Sequence, residues 1–122
     1  MATLELSDEQ LSVISKACEL LSRIYMGQLE EVAWLFSSLP EARYQELTET
    51  LKALNSVITL MPKQAHFGIR DERVPEEARC AYDIHQVIRY HLAWKQQPNG
   101  GFGINFDKPL PYGRISLPTI NE

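Results

Sequence analysis

The chain has 122 residues and a net charge of −4 at neutral pH, and this length is typical of one domain of about 100–200 residues. Apolar residues make up 44% and charged residues 23% of the sequence, which argues against disorder. The negative charge argues against general nucleic-acid binding. No apolar run approaches the ~20 residues of a membrane span, and the first ten residues lack the pattern of a signal peptide. We therefore expect a cytoplasmic protein that does not contact a membrane.

Charged side chains are unevenly distributed along the chain. Residues 1–50 contain nine acidic and three basic side chains, whereas residues 51–122 contain seven acidic and nine basic ones. If this asymmetry persists in the folded chain, the protein has one acidic and one mildly basic face. The preferred interpretation is that the charges lie on ordinary solvated helix surfaces. Cys18 and Cys80 both lie in apolar helical patterns, so we expect reduced, buried thiols.

The first helix is predicted to begin at Asp8 and to end near Gly27. Ser7 and Gln10 have the spacing of a capping box, in which each side chain binds the other residue's backbone N–H. Before them, the alternating residues 3–6 predict a short extended arm or strand. Two apolar stripes then predict burial over a wide helix face. They contain Leu11, Ile14, Cys18, Leu21 and Tyr25, and Val13, Ala17, Leu20 and Ile24.

Three further segments have helical spacing. Residues 29–39 keep that spacing after the break at Gly27. Residues 40–61 form the clearest pattern, with Pro40 in the first turn and an end just before Pro62. After a loop over residues 62–74, a helix from Pro75 to about Gln96 is apolar on two sides and is predicted to be central and mostly buried.

Residues 98–122 differ sharply in composition and form a predicted tail. They contain four of the seven prolines and four of the six glycines, which excludes long helices. Alternating apolar residues predict two short strands. Six large apolar side chains predict that the tail packs on its own bundle or exchanges between the subunits of a homodimer. They are Phe102, Phe106, Leu110, Tyr112, Ile115 and Leu117.

The predicted fold is therefore mainly α. A small bundle of three or four helices occupies residues 1–97, with a short extended arm at its N-terminus. Residues 98–122 are a Pro/Gly-rich tail with short strands that packs as part of the same domain.

One polar group of side chains in the long helix has the chemistry to bind an anion. Tyr82, His85 and Arg89 are three and four residues apart, so they share a helix face, and a hydroxyl with two charge-assisted donors suits an anionic ligand. The preceding loop and first turn add further candidates, which are Arg70, Arg73 and Arg79, with Lys63 and His66. The slightly preferred alternative is a buried structural network, with an acidic partner among Glu30, Glu31 and Asp83.

No pattern predicts catalysis, a cofactor or a metal. His85 and His91 are six residues apart and lie on different helix faces, and neither cysteine has an adjacent general base. The glycine-rich residues 100–103 lack the preceding strand and following helix of a phosphate-binding loop. We therefore expect no enzyme activity.

Two segments carry a resemblance to known proteins. They are residues 25–28 with Glu30 and Glu31, and residues 75–78 running on to 81–89, Leu92 and Ala93. Over about residues 20–96 the chain resembles small uncharacterised helical proteins encoded by bacteriophages and prophages. The resemblance implies a setting inside an infected bacterium, and it carries over no activity, ligand or functional residue.

The expected function is that of a non-enzymatic binding protein. Its partner would be a protein or a complex, and the phage resemblance suggests interference with a host system. The alternative is the binding or sequestration of a small anionic, nucleotide-like ligand through Tyr82, His85, Arg89 and the loop arginines.

Overall fold

The computed structural model describes residues 1–62 and 67–122 of the chain. Its regular elements are α1 (Asp8–Tyr25), a first 3₁₀ helix (Leu29–Phe36), α2 (Glu41–Thr59), α3 (Glu76–Gln96) and a second 3₁₀ helix (Ile104–Phe106). The prediction of a mainly helical protein is confirmed. Lys63, His66 and part of the predicted loop over 62–74 lie outside the described residues. Within the described ranges, no helix is long and apolar enough to cross a membrane.

Both predicted ends of α1 are confirmed. The Ser7 backbone N–H donates to Gln10 Oε1 at 2.9 Å, and the Gln10 backbone N–H donates to Ser7 Oγ at 3.2 Å, which completes the capping box. After Met26, Gly27 has a φ of 78°, a left-handed conformation that glycine adopts at little cost. The residues that follow form a 3₁₀ helix rather than an α-helix.

α1 and α3 pair antiparallel and form the centre of the fold. At one end the Tyr25 hydroxyl donates to Glu77 at 2.9 Å, and at the other Lys95 Nζ donates to Asp8 at 2.9 Å. Small side chains between the two helices are buried, which lets the helix axes approach closely. These are Ser15, Ser22, Ala78 and Ala81. The second apolar stripe of α1 does not share this burial, because Val13 and Ala17 are exposed.

A small hydrophobic core closes one end of the helix pair. Met26, Phe67, Val74 and Ala78 are buried together there. The Phe67 backbone N–H donates to the Met26 carbonyl at 2.8 Å, which ties the segment before α3 to the end of α1. The core therefore depends on the turn at Gly27.

α2 lies at the periphery, and among the described elements it packs against the first 3₁₀ helix alone. Asn55, only 1% exposed, makes this connection. Its Oδ1 accepts from the Leu29 backbone N–H at 2.9 Å, and its Nδ2 donates to Glu30 at 2.6 Å. α2 ends at Thr59, earlier than predicted, because Leu60 adopts a left-handed φ of 60°.

The predicted strands of the tail are wrong. Residues 98–122 contain no strand, and the alternating residues 104–106 form a 3₁₀ turn. Side chains of α3 make the hydrogen bonds to the tail backbone that a neighbouring strand would make. Gln86 donates to the carbonyl of Leu110 and accepts from its N–H. Asp83 accepts hydrogen bonds from the N–H groups of Tyr112 and Gly113. The tail therefore lies on its own α3, which is one of the two predicted arrangements, and its exchange between subunits stays a prediction.

Removing the Asp83 carboxylate should release the tail. Asp83 is only 3% exposed, and its loss leaves two tail N–H groups without acceptors. We expect Asp83→Ala to lower the free energy of unfolding by about 1.5–3 kcal/mol, the range for hydrogen bonds to charged groups. Limited trypsin digestion should then cleave faster after Arg114. Equal cleavage of Asp83→Ala and the surface control Asp107→Ala would contradict this account of the tail.

Candidate functional site

A cavity of about 340 Å³ opens between α1 and α3, beside the two 3₁₀ helices. One part of its wall is polar and the other apolar. The polar residues are Ser12, Ser15, Lys16, Glu19, His85, Arg89, Gln96 and Asn105. The apolar residues are Leu20, Trp34, Leu35, Leu92 and Ala93. Such a mixed wall is typical of sites for small molecules.

Helical spacing explains why these polar side chains converge. Ser12, Lys16 and Glu19 are four and three residues apart on α1, so they share one face. His85 and Arg89 are four residues apart on α3, and the contacts of His85 with Ser15 and Glu19 show that this face of α3 meets α1. The cavity is therefore lined by one polar stripe from each helix.

A chain of hydrogen bonds crosses from α1 to α3 and back. Ser15 Oγ lies 2.8 Å from His85 Nδ1, and His85 Nε2 lies 2.9 Å from Glu19 Oε2. The hydrogen bond from His85 lowers the pKa of Glu19, and the charges of Arg23 and Arg89 add to this effect against the opposing effect of burial. Glu19 is therefore an ionised acceptor, and His85 Nε2 carries the hydrogen that it receives.

The Nε of Arg89 is left without an acceptor in this arrangement. Its Nη1 lies 3.5 Å from His85 Nε2, but that nitrogen already carries a hydrogen and cannot accept another. Arg89 Nε is buried and has no hydrogen-bond partner in the described part of the chain. A buried donor without an acceptor is costly and uncommon in folded proteins. The cavity wall thus contains a guanidinium that can accommodate an additional acceptor.

Of the six residues predicted to bind an anion, the cavity includes His85 and Arg89. Tyr82 lies behind His85, with ring centroids 5.8 Å apart, and its ring also contacts Tyr112 at 5.4 Å. The guanidinium of Arg70 lies over Tyr112, 4.4 Å from the ring centroid. Tyr82 therefore contacts His85, and neither Tyr82 nor Arg70 lines the cavity.

The other two predicted arginines stabilise the segment before α3. Arg73 pairs with Asp71 at 2.9 Å, which lowers the pKa of that carboxyl, and lies over the ring of Phe67. Arg79 donates to the carbonyls of Ile69 and Asp71. The predicted cluster of arginines around Arg89 is therefore not assembled. Lys63 and His66, also predicted there, lie outside the described residues.

The acidic partner was predicted wrongly, because it is Glu19. Each predicted candidate is engaged elsewhere: Glu30 binds Asn55, Glu31 lies 3.9 Å from Arg23, and Asp83 binds the tail. The polar stripe of α1 could have been found from its spacing of three and four residues.

The Ser15–His85–Glu19 chain has the order of nucleophile, base and acid found in hydrolases. A hydrolase also needs preorganised donors for the oxyanion. Ser15 lies within α1, where the surrounding backbone N–H groups are used in the helix, and its side chain is buried. The arrangement therefore suits binding better than acyl transfer.

The two cysteines line a separate, apolar depression on the helix pair. Cys18 and Cys80 are free thiols, half-buried, with Ile115 of the tail beside them. Burial, and secondarily the neighbouring Cys80, raises the pKa of Cys18, which keeps the thiol protonated and unreactive. Across residues 1–62 and 67–122, no group of three or more His, Cys, Asp and Glu side chains could hold a metal ion.

No protein-family model, curated protein or solved structure matches this chain. The resemblance to phage-encoded proteins stays a prediction. Function is therefore inferred from the geometry of the cavity.

The hydrogen bond between Glu19 and His85 should make stability depend on pH. Because the pKa of Glu19 is lowered from its ordinary value of 4.5 in the folded chain, its contribution is present above that value and is lost as the pH falls through the folded pKa. We expect Glu19→Gln to be less stable than the parent at pH 7 and closer to it at pH 3. Urea unfolding at both pH values measures this. The exposed Glu49→Gln is the control, and an equal effect of Glu19→Gln at both pH values would contradict the prediction.

Proposed function

We propose that this protein is a binding protein whose cavity takes a small ligand with one anionic group and an apolar body. The observation that carries the proposal is the buried Arg89 Nε without an acceptor, beside an apolar wall. A carboxylate or similar oxyanion placed there would supply the acceptors that the described fold does not provide, in the charge-assisted geometry that arginine favours.

The charges around the cavity also favour an anion. Lys16 and Arg89 contribute two positive charges, and Glu19 contributes one negative charge that is already engaged by His85. The net positive charge attracts an anionic group to the polar end. Arg70, Arg73 and Arg79 are engaged elsewhere, so the cavity has few cations to bind a polyphosphate. We therefore expect a compact ligand of low charge rather than the predicted nucleotide-like ligand.

The apolar wall and the cavity size determine the rest of the ligand. Leu20, Leu92 and Ala93 come from the helix pair, and Trp34 and Leu35 come from the first 3₁₀ helix. A volume of about 340 Å³ lies at the lower end of the range for ligand sites, about 300–1,000 Å³. A short alkyl chain or a single ring fits this description.

The expected protein partner is a second candidate function. It is favoured by the exposed large apolar side chains on the first 3₁₀ helix and on α2, since extensive apolar patches mark interaction sites. In the setting that the phage resemblance implies, that partner would be a host protein or complex. The apolar surface itself does not distinguish such a partner from a second copy of this chain.

Binding of hexanoate and hexanol tests the ligand proposal, because the two probes share an apolar body and differ in the anionic group. We expect isothermal titration calorimetry to show tighter binding of hexanoate. Arg89→Gln should weaken hexanoate binding about tenfold or more, as expected for a charge-assisted hydrogen bond, and should leave hexanol binding unchanged. Arg43→Gln, on an exposed part of α2, is the control. Equal affinities for the two probes, or an Arg89→Gln variant with the hexanoate affinity of the parent chain, would refute the proposal.

A further inference from the structure

The tail contributes a residue to the wall of the cavity. Asn105 lies in the second 3₁₀ helix and lines the cavity together with Gln96 of α3 and Ser12 of α1. All three side chains are exposed and uncharged, and each can donate and accept hydrogen bonds. These three residues are the neutral end of the cavity.

The neutral end lies two helical turns from Arg89. Lys95 Nζ contacts Asp8 at 2.9 Å, which joins the end of α3 to the start of α1 and brings Gln96 and Ser12 to the same end of the helix pair. Seven residues separate Arg89 from Gln96, and at a rise of about 1.5 Å per residue they lie about 10 Å apart along the axis of α3. The guanidinium and the neutral end can therefore contact different groups of one ligand.

The packing of the tail directs Asn105 to the cavity. The ring of Phe106 packs edge-on against Trp94, with centroids 5.7 Å apart, and Ile104 is exposed. Since a 3₁₀ helix has about three residues per turn, the residue between them faces a third direction, which is the cavity. Gly101 packs so closely on the same ring that a Cβ would lie 2.8 Å from Phe106 Cε2. Phe106 is therefore the positioning residue for Asn105.

The chemistry of the neutral end favours a polar group on the ligand. An alkyl group would displace solvent from hydroxyl and amide groups without replacing their hydrogen bonds, which is unfavourable. An amide or hydroxyl on the ligand replaces those bonds, because it both donates and accepts. Leu92 and Ala93 line the cavity and lie between Arg89 and Gln96 in α3, so a hydrocarbon segment suits the middle.

We propose that Asn105 determines the specificity of the cavity, which selects a carboxylate with an amide or hydroxyl group at the far end of a short hydrocarbon chain. This inference rests on the ligand proposal and extends it. Arg89 binds the anionic group, Leu92 and Ala93 contact the hydrocarbon chain, and the neutral end of the cavity binds the second polar group. The tail is thereby a part of the binding site.

Hexanoate and adipamate, the monoamide of adipic acid, test this specificity, because these carboxylates share a six-carbon chain and differ in the terminal amide. We expect isothermal titration calorimetry to show that the parent chain binds adipamate at least as tightly as hexanoate. Asn105→Leu should weaken adipamate binding about three- to tenfold, as expected for one lost neutral hydrogen bond, and should change hexanoate binding less than about twofold. Asn99→Leu, at an exposed tail residue outside the cavity wall, is the matched control.

Variants of Phe106 test its positioning role. Phe106→Ala should weaken adipamate binding more than hexanoate binding, whereas Phe106→Tyr retains the ring and should bind both probes as the parent chain does. Weaker binding of adipamate than of hexanoate by the parent chain, or an Asn105→Leu variant that changes both affinities equally or neither, would overturn this inference and leave the ligand proposal standing. Absence of binding of both carboxylates to the parent chain would overturn the two proposals together.

Discussion

The rest of the structure depends on one buried imidazole that bridges two helices. His85 is 6% exposed, so both of its ring nitrogens require partners within the protein. Ser15 and Glu19 provide them from α1. Since these two residues are one turn apart, the histidine is satisfied in a single register of α3 against α1. The pairs Tyr25–Glu77 and Asp8–Lys95 at the two ends are consistent with that register.

The same bridge creates the binding site by engaging the nearest carboxylate. Glu19 has two basic neighbours on α3, His85 and Arg89, and its hydrogen bond goes to the histidine. Arg89 therefore retains its charge and its donors at the edge of a cavity. In this account, the stability of the helix pair and the affinity for an anion arise from one arrangement of three side chains. Because Glu19 pairs with His85, Arg89 remains available to an anion.

Local signals in the sequence predicted the local structure well. The capping box at Ser7, the break near Gly27 and the start of α3 at Pro75 depend on neighbouring residues, and all three were predicted within two residues. The prediction of strands in the tail was wrong, because alternation of apolar residues does not reveal whether the backbone forms hydrogen bonds with a strand or with side chains. Asp83 and Gln86 are the acceptors and donors there, and they are distant in sequence.

The sequence did not predict which of several possible partners a side chain contacts in the folded chain. His85 and Arg89 were predicted as site residues, but the carboxylate that pairs with the histidine could have been any of several acidic residues. Residues 40–61 were predicted to form a helix, but the face of α2 that packs on the same chain depends on the position of the first 3₁₀ helix. The polar stripe of α1, with Glu19 among its members, was visible in the spacing.

The Arg89 Nε–H signal in ¹H–¹⁵N NMR tests the central claim most directly, with Arg89→Gln to assign it. The account predicts that saturating hexanoate shifts this signal, because the carboxylate supplies the acceptor that the buried nitrogen lacks, while the pKa of Glu19 stays lowered. A signal unchanged by hexanoate while other cavity residues respond would contradict the account.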